Sequence, residues 1–475
     1  MMAATARDRM TALAMAIYSR APIWMQDLLI SAYGMRLLRI RYGRTGRETL
    51  ARLSESQWKD SADVRSHQLS ALSEVVARAA SDVPFYRRRG LEGIDFDSLA
   101  QLQELPLLTK SEVQRAGRDM ISDHYRRRKL TEVHTGGTTG KPLAIYCDSE
   151  TLQRNYAFFS RFKSWAGINA GARVATFAGR TLIPADRGEP YWRHNRASNT
   201  LLFSSYHIGR RTLPSYVKAL SDFRPALIDS YPSSIEAIAR YVVEHEISSI
   251  RPTAVITSSE TLFPAVRDLV ERAFQCRVFD HYGGAEMAAL IAQCEEGTYH
   301  VAPEFGVVEI LNDRRLVGPG ERGEIVATGF INPVMPLIRY ATGDYGVLGT
   351  GVCRCGRAGD TLERIEGRMD DVIVTPEGNL VGRLDPIFKA VSSLYETRIV
   401  QDATDHVRVE IVVIGDFAVT MERELKAQLR ARLGPTMRID IVRVQSIERT
   451  GRGKLRTTVN LVYPRSPDGV AQVPT

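Results

Sequence analysis

His134-Thr135-Gly136-Gly137-Thr138-Thr139-Gly140-Lys141-Pro142 is assembled from the residue types that hold phosphate. Glycines let backbone N–H groups approach an anion, and threonine hydroxyls and a lysine ammonium add further donors. The nucleotide-loop pattern G-x-x-x-x-G-K-[ST] is not met, because Thr135 stands where its first Gly belongs and Pro142 where its Ser or Thr belongs. Pro142 has no N–H and would interrupt the opening turn of a following helix unless it fell at the first position. Taken alone, the stretch reads equally as a glycine turn between two strands.

Outward from this loop, size and composition set bounds. At 475 residues the chain exceeds what one core supports, so two or more domains are expected. Hydrophobic content of 44% and charged content of 25% describe a soluble globular protein. A net charge of +8 suits anionic ligands such as nucleotides or CoA, or an anionic membrane surface. Nucleic acid is disfavoured, since the basic residues are scattered and the compact run Arg126-Arg127-Arg128-Lys129 immediately precedes the glycine loop. The 5 cysteines make no disulfide framework, and a reducing compartment is expected.

The apolar run Thr11 to Ser19 is closed by Arg20, well short of the roughly 20 residues a membrane span requires. A secretory signal is rejected on the ATP-type chemistry argued below. From Ala21 to Tyr42 apolar residues mix with Arg36, Arg39 and Arg41, which fits a helix lying on a membrane surface or, more commonly, one docked on the protein.

Residues 64–90 read as a helix ending in Pro84-Phe85-Tyr86. From the glycine loop to about residue 350, strand-like runs (Arg173 to Phe177, Thr253 to Thr257) alternate with helical stretches (Ser233 to Glu244), as in an α/β domain with parallel strands. After Arg368 the texture changes. Val407, Val409, Ile411 and Val413 share one face of a strand, and Met421, Leu425, Leu429 and Leu433 recur at helical spacing before a strand Arg438 to Val444. The expectation is a large domain, 1–366, followed by a small α+β domain, 367–475.

The glycine loop is not isolated. Tyr282-Gly283-Gly284-Ala285-Glu286, Tyr340-Ala341-Thr342-Gly343-Asp344, Gly367-Arg368-Met369-Asp370-Asp371 and Gly451-Arg452-Gly453-Lys454 follow it. In order and approximate spacing these resemble the motifs of the adenylate-forming enzymes, over about residues 60–460. The nearest branch looks like the phenylacetate-CoA ligases, including members found in capsular polysaccharide biosynthesis.

The resemblance implies a fold and a division of labour. Thr135, Gly136, Gly137, Thr138, Thr139, Gly140 and Lys141 would embrace the β- and γ-phosphates of ATP. Tyr282, with Gly283 beside it, would lie against adenine, a fitting use of a flat amphipathic ring. Glu286 would hold Mg²⁺, an oxygen-seeking cation. Asp344 would accept hydrogen bonds from the ribose hydroxyls, and Arg368 would contact the nucleotide. Asp370 matches the hinge about which a mobile small domain swings between two half-reactions. Lys454 would bridge the acid's carboxylate and the α-phosphate, offsetting charge in the transition state.

Cys294, His300, Cys353 and Cys355 form a donor set suited to structural Zn²⁺, although the spacing is not that of a standard finger. Related members of this branch imply such a site; Cys147 and Cys276 are read as core residues. The carboxylate-side pocket would involve Tyr231, Ser258, Ser259, Glu260 and His281, with Tyr206 and His207 within reach. An aryl acid, a short acyl acid, an amino acid and a sugar acid all remain open.

The expected protein is therefore an AMP-forming acid ligase that makes an acyl-adenylate and passes the acyl group to CoA. The alternatives are an amine, saccharide or carrier-thiol acceptor and, in a different class, a non-catalytic scaffold. The expected location is cytoplasmic, with peripheral contact at the inner membrane face through the N-terminal segment.

Overall fold

The structure is a computed structural model and describes residues 18–91, 93–94, 96–135, 143–178, 183, 188–209 and 211–368. Beyond these it describes 373–376, 380–381, 384, 387–388, 393–413, 415, 417–449 and 455–462.

Two compact units are distinguished, and the first comprises Met1–Ser56 with Leu152–His281. Its strands are β1 (Val174–Ala178), β2 (Trp192–Asn195), β3 (Thr200–Ser204), β4 (Leu227–Ser230), β5 (Ala254–Ser258) and β6 (Arg277–Gly283). The last two residues of β6 fall to the other unit. The order is β2-β3-β1-β4-β5-β6, parallel from β3 through β6, with the edge strand β2 antiparallel to β3.

Helices α1 (Ile23–Arg41), α2 (Ser149–Trp165), α3 (Leu213–Phe223), α4 (Pro232–Glu244) and α5 (Pro264–Phe274) contribute to this unit. The last three each carry a proline in the first turn, where its missing N–H costs nothing and its fixed φ suits the helix. On α4, Ile235, Ile238, Ala239 and Val242 recur at helical spacing and are buried. They join Phe177, Phe203 and Tyr216 in a core whose first two rings stack with centroids 4.5 Å apart.

The other unit comprises Gln57–Thr151 with Tyr282–Thr475. Here β7 (Leu290–Gln293), β8 (Tyr299–Val301), β9 (Gly306–Asn312), β10 (Arg315–Leu316), β11 (Arg322–Gly329), β12 (Tyr340–Leu348) and β13 (Thr361–Arg368) stand in the order β10-β9-β11-β12-β13-β8-β7. Every pairing is antiparallel. The parallel pattern read as far as residue 350 thus ends at β6. Its successors are joined by connections without a helix, so the helical crossover that parallel strands need is missing between them. The β9–β10 turn is two residues, Asp313 and Arg314, both with positive φ, as tight hairpins require.

Preceding this sheet in the chain, the helix Ser61–Asp82 starts where the Asp60 carboxylate accepts the Asp63 N–H. It stops at Asp82, short of the expected end, because Pro84 disfavours helical backbone at Val83. Its buried Leu72, Val76 and Ala79 pack with Leu102, Leu108, Met335 and Leu337.

Toward the C-terminus, β14 (Leu394–Ala403), β15 (His406–Val413), α6 (Val419–Leu433), β16 (Arg438–Arg443) and β17 (Thr458–Asn460) form the smaller α+β element, with strand order β16-β15-β14-β17. Val407, Val409 and Ile411 pack against Leu425, Leu429 and Leu433, which is the apolar pattern read from the sequence.

Candidate active site

The glycine-rich stretch connects two strands of an antiparallel hairpin, Thr131–His134 and Ala144–Cys147. Thr135 closes its base. The Thr135 N–H donates to the Leu143 carbonyl at 3.0 Å, and the Leu143 N–H donates to Thr135 Oγ1 at 3.1 Å. A strand follows the loop where a nucleotide loop of the G-x-x-x-x-G-K-[ST] type would open a helix, in keeping with Pro142. Gly136, Gly137, Thr138, Thr139, Gly140 and Lys141 lie outside the described residues.

Tyr282 and Asp344, 62 residues apart, are joined directly: the phenol donates to Asp344 Oδ2 at 2.9 Å. Burial, followed by the negative charge of Asp344 and with a contribution from Glu286, lifts the Tyr282 pKa well above its ordinary value. The phenol therefore stays protonated and remains a donor. Asp344 lies within β12 and not in a turn; it is aimed by an irregularity in the pairing with β11, where Gly343 takes a φ of +72°. The Gly343 N–H donates to Glu324 Oε1 at 3.0 Å and the Asp344 N–H to Thr342 Oγ1 at 3.0 Å. Across the β12–β13 pair, Asp344 stands opposite Arg368, which brings two of the separated motifs into one register. The Arg368 side chain lies outside the described residues, as do Asp370 and Lys454.

Glu286 sits on the turn after β6, close behind two glycines. A Cβ on Gly284 would fall 2.1 Å from Glu286 Oε2. Gly283 needs less relief, its added Cβ meeting Leu290 Cδ1 at 3.3 Å. The turn is backed by Gly306 and Gly329, which face each other across β9 and β11. A Cβ there would meet the backbone oxygens of Ala288 and Met287 at 2.8 and 2.6 Å respectively. These two glycines and Glu324 were missed in the sequence, because strand register and not local spacing brings them to the site.

The residues expected around the acid lie in the first unit. Ser259 has a φ of +69°, an uncommon conformation for a non-glycine residue, in the turn Ser258-Ser259-Glu260. Ser258 Oγ and Ser259 Oγ are 3.4 Å apart. The Glu260 carboxylate accepts from the Ser233 N–H at 2.9 Å and the Ser233 hydroxyl at 3.1 Å, capping α4 immediately after Tyr231.

His281 stands edge-on to Phe159 and Phe162, with centroids 5.1 and 5.2 Å away. Burial lowers its pKa to about 4 against the opposing influence of Asp229, so the ring is neutral near pH 7. His207 Nδ1 is 2.7 Å from Ser204 Oγ and its ring stacks on Tyr191. Tyr206 belongs to the short turn Ser205–His207, but its side chain is outside the described residues.

Cys294, His300, Cys353 and Cys355 converge so that their ligand atoms all lie within 4.8 Å of one another. Cys294 Sγ is 3.7 Å from Cys353 Sγ, and Cys355 Sγ is 3.3 Å from His300 Nε2. A tetrahedral ion with Zn–S of about 2.3 Å and Zn–N of about 2.0 Å calls for ligand separations of roughly 3.5–3.8 Å, which this cluster nearly meets. Burial, followed by the nearby Arg357, lowers the His300 pKa to about 4, leaving the neutral imidazole that a metal requires. At Cys353 burial acts upward, but hydrogen bonds with Thr298, Cys355 and Cys294 hold the thiol below its ordinary pKa. The other cysteines, Cys147 and Cys276, are pushed by burial up to about 12, as Cys294 is, but stand outside this cluster.

Parallel strands followed by an antiparallel sheet and a small C-terminal α+β element make up a fold shared with adenylate-forming ligase structures. Among solved structures, 2-hydroxyisobutyryl-CoA ligase in its postadenylation state superposes with a TM-score of 0.69 at 22% identity, covering 86% of this chain and 91% of that one. The CapK protein of Staphylococcus aureus is 28% identical over 94% of this chain and 98% of its own length. The phenylacetate-coenzyme A ligase of Thermus thermophilus is 23% identical over 84% of this chain and 96% of that protein. The family described as the CapK C-terminal domain matches residues 373–461. In sequence the chain is thus similar to CapK and to the phenylacetate-CoA ligases, and in fold to an adenylate-forming CoA ligase.

Proposed function

We propose that the protein is an AMP-forming carboxylic acid ligase. In the first half-reaction a carboxylate oxygen of the acid attacks the α-phosphorus of ATP, the bond to the β-phosphate oxygen breaks, and pyrophosphate leaves. In the second, a thiolate attacks the acyl carbon and AMP leaves, giving a thioester with CoA. The observation that carries this reading is the Tyr282–Asp344 hydrogen bond, which fixes a ribose-type acceptor beside an aromatic ring, with Arg368 in register opposite. Asp344 would accept the sugar hydroxyls, Tyr282 would present its ring to the base, and the Gly136 to Lys141 loop would hold the leaving phosphates. Mg²⁺ would neutralise phosphate charge, with Glu286 as its protein ligand.

In the same proposal residues 1–366 bind ATP and acid. Residues 367–475 deliver Lys454 for adenylation and then turn about Asp370. Tyr231, Ser258, Ser259, Tyr206, His207 and the neutral His281 border the acid, while Glu260 holds the α4 N-terminus in place. Cys294, His300, Cys353 and Cys355 hold structural Zn²⁺ and, with all four protein ligands engaged, leave no open position for chemistry. The proposed location is cytoplasmic. Among the described residues no helix is long and apolar enough to cross a membrane.

The test is a panel of carboxylic acids screened for ATP-dependent pyrophosphate release, repeated with Lys454→Ala. Acid-dependent release abolished by that change is expected; release unaffected by it removes Lys454 from the mechanism, and no release with any acid removes the reading. A second reading retains adenylation but uses an amine, saccharide or carrier thiol as acceptor. Residues 373–461 match the family described as the CapK C-terminal domain, a description that names no CoA ligase. Product formation with and without CoA separates the two.

A further inference from the structure

Helix α1 is inside out. Its polar side chains face the protein, where they serve the edge strand β2. Asp27 accepts the His194 N–H at 3.0 Å, Ser31 Oγ accepts the Arg196 N–H at 3.0 Å, and Gln26 is hydrogen-bonded by the buried Arg193. Gly34 lies so close to Asn195 that a Cβ would be 2.4 Å from its side-chain amide. An edge strand offers unpaired backbone groups, and covering them draws polar residues to the inner side of the helix.

The outer side is consequently apolar. Trp24 is 68% exposed, Leu28 61%, Tyr33 60%, Met35 50% and Leu29 46%. At 100° per residue these positions span about half of the helix circumference. Arg36 and Arg39 are exposed on the same arc. Between Pro22 and Tyr42 the single carboxylate in the sequence is Asp27, which is turned inward. A monomer rarely leaves so continuous an apolar strip uncovered.

We propose that this face of α1 lies in the surface of an anionic lipid bilayer. Leu28 and Met35 would enter the acyl boundary, and Trp24 and Tyr33 would sit at headgroup level, where rings with one polar end are favoured. Arg36 and Arg39 reach anionic headgroups along their methylene stems. A protein–protein partner would be expected to answer two arginines with carboxylates, whereas a bilayer supplies both the apolar layer and the negative charge from one surface. The net charge of +8 adds attraction at longer range. The proposal does not depend on the reaction that the protein catalyses.

The experiment sediments the full chain with vesicles of phosphatidylcholine alone and of phosphatidylcholine mixed with phosphatidylglycerol. Binding to the mixed vesicles, weakened by salt, is expected. It should fall about tenfold or more in a Trp24→Ser, Leu28→Ser, Tyr33→Ser variant with parental circular dichroism and melting. Arg36→Ser with Arg39→Ser should erase the preference for anionic vesicles. In the unaltered protein, lipids brominated in their acyl chains should quench tryptophan emission, and Trp24→Phe should remove that quenching, a readout that makes no demand on the fold of the triple variant. The proposal is overturned by absence of binding to either vesicle, by a folded triple variant that binds like the parent, or by absence of quenching. A dimer that the triple variant converts to monomer, without lipid binding, would overturn it too and assign the face to a second copy of the chain.

Discussion

The Tyr282 hydroxyl donates a hydrogen bond of 2.9 Å to Asp344 Oδ2, tying the end of β6 to the middle of β12. Tyr282→Phe removes that donor and keeps the ring. Loss of a hydrogen bond to a charged group costs about 1.5–3 kcal/mol, so nucleotide affinity should drop by roughly ten- to a hundredfold with the adenine contact intact. Asp344→Ala should cost more, since it also removes the ribose acceptor. Titration of ATP and AMP with both variants measures the difference.

Arg339, which immediately precedes the Tyr340–Asp344 motif, forms a buried pair with Glu309 at 2.8 and 2.9 Å and also donates to the Gln103 and Leu105 carbonyls. Arg339→Met leaves the carboxylate without its cation, and removing one partner of a buried pair costs about 3–5 kcal/mol. A large fall in melting temperature is expected. Glu309→Gln in the same chain should recover part of it, because burial already raises the Glu309 pKa.

Metal removal should act on stability before it acts on chemistry. Purified protein should contain zinc, and chelation or Cys355→Ser should lower the melting temperature. The ATP affinity of the fraction that remains folded should change little. Elemental analysis with paired melting curves checks this; substoichiometric zinc with unchanged melting would remove the metal site.

His281, held near a pKa of about 4 by burial, makes stability depend on pH in a definite sense. The unfolded ring takes up a proton near pH 6.5 and the folded one near pH 4, so the contribution is complete above about 6.5 and is lost as pH falls toward 4. His281→Gln should flatten the stability profile across that window. Chemical denaturation at several pH values detects it.

Gly306→Ala should destabilise the sheet behind Glu286, since the new Cβ would lie 2.4 Å from the Thr328 carbonyl oxygen and 2.8 Å from that of Ala288. Both neighbours are backbone and yield little. A loss of about 1–3 kcal/mol is expected, with weaker Mg²⁺-dependent turnover in what remains folded. Melting temperature and the Mg²⁺ dependence of pyrophosphate release report the two effects.

Tyr282, Asp344 and the four candidate zinc ligands could be read from the chain because each carries its chemistry in its own side chain, within a short segment of telling composition. Glu324, Gly306 and Gly329 could not. Their contribution is register, settled by which strands become neighbours across tens of residues. The end of the parallel pattern at β6 was hidden for a related reason: apolar strands look alike whether a helix or a turn follows. Helix α1 was open to two readings, on a membrane surface or docked on the protein, because periodicity locates an apolar face but not the side to which it points. Here the backbone of His194 and Arg196 sets the orientation instead.

That arrangement bears on how the protein can be shortened. Trimming back to Tyr42 would discard the greasy helix, a change ordinarily expected to improve solubility. It would also strip the cover from β2, leaving the sheet open to strands of other molecules. Truncated protein should therefore aggregate more readily than the full chain, while polar replacements on the outer arc leave that seal in place.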